Sequence, residues 1–210
     1  MTESRPASDS SLHGIAPIRA LPPEWFAAAM PQGYQTRLGE IRRLTAELNE
    51  MESYGRLLIE TGAPLANIIR ATFAAMKYEV TDLTVEDSSR LGVWLDNQRR
   101  LFVCVAAGVS PVDRKSPDVA RAFALLQEHA QPGDRVVLAL NVNAMRPPAE
   151  RGESVTSDGL DLLERLGINV VTGPALFSLW TLSQQEPTRV QKSIDRLYAQ
   201  DGGLYTTAAS

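Results

Sequence analysis

Residues 101 to 108 read Leu-Phe-Val-Cys-Val-Ala-Ala-Gly, an unbroken apolar run of strand length closed by a glycine. A strand that alternates apolar and polar residues buries one face. A continuous run has to be covered on both, as in a sheet with helices on either side. The neighbouring stretches fit that arrangement. Tyr78 to Leu83 reads as a first strand, and Leu91 to Leu95 as a second, joined to the long run across the Asp96-Asn97 turn. Ser116 to Gln131 has helical spacing, with Ser116 or Asp118 near the N-cap and Val119, Ala122, Phe123 and Leu126 facing inward. Pro132-Gly133-Asp134 stops that helix, and Arg135 to Asn141 is again strand-like. A polar loop with Pro147, Pro148 and Arg151 follows, then a helix (Ser157 to Leu166), a strand (Gly167 to Thr172) and a helix opened by Pro174. Strands exchanging places with helices predict an α/β domain.

Upstream the pattern changes. Ile41, Leu44, Leu48, Met51, Gly55 and Leu58 recur at intervals of three and four, the spacing of a coiled-coil seam, flanked by arginines and glutamates. The repeat covers about two and a half heptads, so it predicts a helical arm over 35–60. Pairing with another helix and packing on the chain's own domain are both open. Ala63 to Lys77 is a second helix with Leu65, Ile68, Ile69, Thr72, Phe73 and Met76 on its apolar face. Residues 1–34 lack a sustained period and read as a disordered tail, with one short apolar helix opened by Pro22-Pro23 and carrying Trp25, Phe26 and Met30. Residues 204–210 read as a second tail.

A net charge of −4 over 210 residues argues against a protein coated for nonspecific nucleic-acid binding. The single cysteine excludes an intramolecular disulfide framework and fits a reducing cytosol. With no apolar run of membrane-span length and no basic-then-apolar leader, the sequence predicts a cytoplasmic protein with no membrane partner.

The order of these elements resembles the PD-(D/E)XK, or restriction-endonuclease-like, superfamily. The resemblance covers about residues 57–203, from Leu57-Leu58-Ile59-Glu60-Thr61-Gly62 to Asp201-Gly202-Gly203. It is strongest in the Asn141 strand end, the Pro-Pro/Arg loop, the strand ending in Thr172 and the Leu176-Phe177-Ser178-Leu179 helix. It implies a three-layer α/β fold, a mixed sheet flanked by helices. In that family the middle strand carries a Glu and, two residues on, a Lys, which share one face because alternate strand residues do. An Asp opens the preceding strand, and the acids hold a divalent metal that activates water. Here the matching positions are Cys104 and Ala106, and the Asp position falls near Leu91 or Gly92. The resemblance therefore implies a catalytically degenerate member: a non-catalytic binding or assembly module, with no metal and no cofactor.

Two alternatives follow from residues elsewhere. Glu60, Asp87 (beside Glu86), Asp113 and Lys115 are candidates for a relocated site, which would make the chain a Mg²⁺-dependent nuclease. Arg99, Arg100, Arg114, Lys115, Arg146 and Arg151 are basic residues near predicted loops; if they converge, they suit phosphate or an acidic partner, as in a nucleic-acid-binding accessory subunit. Scattered cations under a negative net charge predict weak, salt-dependent DNA binding at most. Cys104 reads as a buried structural residue, because His13 and His129 are poorly placed to activate it. Neither a phosphate-cradling glycine motif nor a zinc-type Cys/His cluster occurs. Partners are expected through the arm, where Ile41, Leu44, Leu48 and Met51 form the seam for self-association or for another protein's helix.

Overall fold

The computed structural model describes residues 24–83 and 89–207, and the chain divides into two compact units, Met1–Leu48 and Asn49–Ser210. In the larger unit six strands lie side by side in chain order: β1 (Glu79–Asp82), β2 (Arg90–Trp94), β3 (Arg100–Val105), β4 (Arg135–Leu140), β5 (Ile168–Thr172) and β6 (Gly203–Leu204). The first three form an antiparallel meander; β4, β5 and β6 then add in parallel, so the sheet is mixed. Parallel neighbours need a crossover, and helices supply it.

The long apolar run is buried on both faces, as its composition requires. Leu101, Val103 and Val105 pack into one core with α3 (Gly62–Ala75), α6 (Gly173–Gln185) and α7 (Pro187–Ala199). Phe102, Cys104 and Ala106 enter the other core, with α4 (Pro117–His129) and α5 (Ser157–Arg165). Ser116 caps α4, its hydroxyl accepting from the Asp118 N–H. Thr156 and Thr172 do the same for α5 and α6. Among the described residues no helix is long and apolar enough to cross a membrane.

Several expectations need correction. Phe123 is not an inward residue of α4: it is exposed, and Leu125 takes the buried position beside Val119 and Ala122. α7 was not expected, although Val190, Ile194 and Leu197 have the four-and-three spacing of its buried face and Pro187 opens it. The chain end from 204 is not wholly a tail, because β6 pairs with β5 and Tyr205 is buried, its hydroxyl donating to the Ser193 carbonyl. The arm is α2 (Tyr34–Gly55), continued by a 3₁₀ turn (Arg56–Leu58) whose Leu57 is a core residue. Tyr54, near the end of α2, stacks on Trp180.

In the smaller unit, α1 (Glu24–Ala29) is the short helix expected around Trp25 and Phe26. It ends before Met30, and the Phe26 ring meets Tyr34 edge-on. Met30 to Gly33 lead by a turn into α2, whose first residue is Tyr34; the expected tail up to Pro23, with Pro22 and His13, lies outside the described residues, as do Glu86 and Asp87.

Candidate functional site

The β3 strand leads from the sheet into a cleft at its carboxyl end, the edge at which α/β sheets commonly bind ligands. Cys104 and Ala106 share a face, as their spacing dictates, but they do not reach the cleft. They are 0% and 1% exposed, under α4 and in contact with the apolar core that includes Val119 and Ala122. Leu91 and Gly92 are buried in β2, opposite Val103 and Phe102. Any hydrogen-to-side-chain growth at Gly92 meets Thr81 Oγ1 at 3.1 Å and Leu83 Cδ2 at 3.2 Å. Cys104 and Ala106 are thus covered by the helical layer, and neither opens on the cleft.

The cleft itself has a volume of about 470 Å³. Ala107, Gly108 and Ser110 form one wall, and the loop carrying Asp113 and Lys115 joins the start of α4 in another. Asp113 and Lys115 are thus brought to one place, with Asp118 and Arg121, which sequence reasoning did not single out as site residues. The side chain of Asp113 folds back, Oδ1 accepting the Lys115 N–H at 2.8 Å. Asp118 is buried; its Oδ1 accepts the Ala107 N–H at 3.3 Å and pairs with Arg121 Nη1 at 3.1 Å. Arg121 also donates to the Ser89 hydroxyl and the Val105 carbonyl, fastening α4 to the ends of β2 and β3. The signal for this pair was present in the sequence as an Asp at the second position of a helix and an Arg three residues on. Among the described residues no three His, Cys, Asp or Glu side chains are grouped to hold a metal.

Glu60 stands apart from this cleft. Its carboxylate accepts from Arg56, at 3.0 Å from Nε and 2.6 Å from Nη2, an ion pair at the close of the arm. Its backbone carbonyl accepts from Asn141 Nδ2 at 2.9 Å.

The basic candidates divide by what they touch. Arg100 makes a two-point contact with Asp134, at 2.9 and 2.7 Å, and lies over the Trp94 and Phe102 rings. Arg99 bonds Asp96 and Asp195, and those carboxylates push its pKa up while Gln98 and Arg99 hold that of Asp96 down. Both arginines are structural. Arg151 is more so: it is buried, with Nε donating to the Arg146 carbonyl at 2.9 Å, Nη1 to Asn141 Oδ1 at 2.8 Å, and Nη2 to the carbonyls of Leu58 and Ala144. Burial pushes its pKa down. Asn141 completes the junction through Nδ2, which donates to the Leu57 carbonyl at 2.8 Å. A β-carbon on Gly173 would stand 2.2 Å from that same carbonyl, so the approach of α6 requires a glycine. Arg114, Lys115 and Arg146 remain exposed. Arg114 and Lys115 line a groove with Val119, Phe123, Leu162 and Leu166 between α4 and α5.

No family model matches the chain, no curated protein is significantly similar to it, and no solved structure matches it.

Proposed function

We propose that this chain is a non-catalytic binding or assembly module of the cytoplasm, built on a restriction-endonuclease-like fold. The fold reading is supported by the order of elements: a helix, a three-stranded antiparallel meander, a crossover helix and three further parallel strands. One observation carries the functional reading. The positions matching the family's Glu and Lys are Cys104 and Ala106, and both are sealed in the core. A thiol and a methyl there supply neither a hard oxygen ligand nor a fixed positive charge. Partners are reached through α2, and nucleic acid is bound weakly if at all, because three of the six candidate cations serve internal contacts.

The cleft favours one second reading. Asp113 and Lys115 face the same space as Asp118 and Arg121, so a rebuilt metal-dependent nuclease site would draw on them there; Asp87, its further candidate acid, lies outside the described residues. An accessory nucleic-acid subunit would use Arg114, Lys115 and Arg146 instead.

Incubation with single- and double-stranded DNA and RNA, in Mg²⁺ and in Mn²⁺, separates these readings. The expected result is no cleavage by the wild type, and none by an Asp87→Ala/Asp113→Ala variant. Cleavage by the wild type that disappears in the variant would replace the non-catalytic reading with the relocated-acid one. Removing one such electrostatic contribution usually costs about two or more orders of magnitude, so the difference is easily read.

A further inference from the structure

Helix α2 is 22 residues long and buries none of them. Its seam is correspondingly open: Ile41, Leu44, Leu48 and Met51 are 60, 50, 55 and 59% exposed. Four large apolar side chains in one stripe are unusual on a surface with no partner. The question is which partner suits them.

Two features of the helix are complementary to the same helix reversed. The first is the spacing. From Ile41 the steps along the seam are three, four and three, which read the same from either end. A two-fold axis level with Ala46 therefore sets Leu44 against the partner's Leu48, and Ile41 against the partner's Met51, in both directions. The second is charge. The first half of α2 carries Arg37, Arg42 and Arg43 against one acid, Glu40; the second half carries Glu47, Glu50 and Glu52 and no cation. This gradient opposes the helix's own macrodipole, which favours acids in the first turn and cations in the last. Arg37 lies in the first turn and Glu52 in the last. The internal Arg43–Glu47 pair offsets only part of this.

We propose that α2 pairs with the α2 of a second copy of this chain, antiparallel, about the axis at Ala46. This rests on the assembly reading above and names its partner. In the antiparallel pair the arginine-rich half of each helix runs alongside the acidic half of the other; Arg42 is level with the partner's Glu50 along the axis, both on the outer sides of the pair, so the complementarity is between halves rather than between facing side chains. The two macrodipoles also oppose each other. Glu40 is the exception, level with the partner's Glu52. A parallel pair would instead align the dipoles and set arginines beside arginines and glutamates beside glutamates. The short seam makes the association weak and concentration-dependent.

Two full-length variants test the orientation, Ile41→Cys and Met51→Cys, one isotope-labelled so that mass spectrometry resolves the mixed dimer from each homodimer. The native Cys104 is buried and stays out of the reaction. In the antiparallel register residue 41 faces the partner's residue 51, within disulfide reach. Two residues 41 are then ten positions apart along the axis, about 15 Å, which a disulfide does not span. Mild oxidation of the mixture is expected to give the mixed dimer in large excess over both homodimers, with light scattering showing the wild type moving from monomer to dimer across micromolar concentrations. Homodimers without mixed dimer would overturn the antiparallel arrangement. A wild type that stays monomeric, with no cross-link in any combination, would overturn the second copy as partner. Neither outcome touches the non-catalytic reading, which the cleavage assay tests. Both substitutions are at exposed positions, and circular dichroism verifies that the variants are folded.

Discussion

Cys104→Glu is expected to unfold the domain or bring it to the edge of unfolding. The substitution supplies the acid that the proposed restriction-endonuclease-like reading puts at this position, but here that position is 0% exposed and packs in the core that includes residues of α4 and α5. Taking a carboxylate out of water at such a position costs several kcal/mol, a large share of what holds an ordinary domain together. Protonation avoids the charge but leaves a polar group without water, and the longer side chain overfills the core. Cys104→Ala, which removes one atom, should lose only about 1 kcal/mol. Urea unfolding followed by circular dichroism reads both. Val103→Glu is a useful companion, because it probes the opposite face of the same strand and should be as damaging. A Cys104→Glu protein that unfolds within about 1 kcal/mol of the wild type would mean that water reaches this face, and the sealed-core account would be wrong.

Arg151→Met should be nearly as severe, for a different reason. Methionine has the length to fill the space, but it donates nothing to the carbonyls of Leu58, Ala144 and Arg146 or to Asn141 Oδ1. Each buried acceptor deprived of its donor costs about 1–3 kcal/mol, with the sum reduced by relaxation and by entering water. A net loss of roughly 3 kcal/mol is expected. Arg151→Lys should recover less than half of it, since one ammonium cannot reproduce the planar fork that meets acceptors on several sides. If Arg151 were instead a phosphate contact, both variants would keep wild-type stability and lose only DNA affinity. Urea midpoints and DNA titrations at two salt concentrations distinguish the two roles.

The central strand was legible because two-sided burial leaves a compositional trace. Leu101 to Ala106 has no polar residue to turn outward, and the structure sends its odd and even residues into separate cores. The hairpin with β2 and the crossover by α4 were legible from turn and cap residues, Asp96-Asn97 and Ser116, whose preferences are local. Arg151 was not. A lone arginine in a polar, proline-bearing loop has the local signature of the surface. Its burial is decided by oxygens from residues 58, 141, 144 and 146, which only the tertiary fold assembles. Arg99 and Arg100 escaped for the same reason, since their partners Asp195 and Asp134 are distant in sequence. At the cleft, Asp113 and Lys115 were visible as a charged loop, while Asp118 and Arg121 were hidden within the amphipathic pattern of α4. The open seam of α2 was legible as a period; the sense in which it reads the same backwards became informative only once the structure left it uncovered.

The most direct measurement on the central claim is a Mn²⁺ titration of the full chain, following the paramagnetic resonance signal of free Mn²⁺. It includes every acid of the protein, Glu86 and Asp87 among them, and it requires no guess at the substrate. If the Cys104–Ala106 face is closed and no other metal site has been built, the free-ion signal rises with added metal as it does in buffer. Saturable loss of that signal at one site per chain, abolished by Asp87→Ala/Asp113→Ala, would contradict the account and establish a metal centre that depends on those acids.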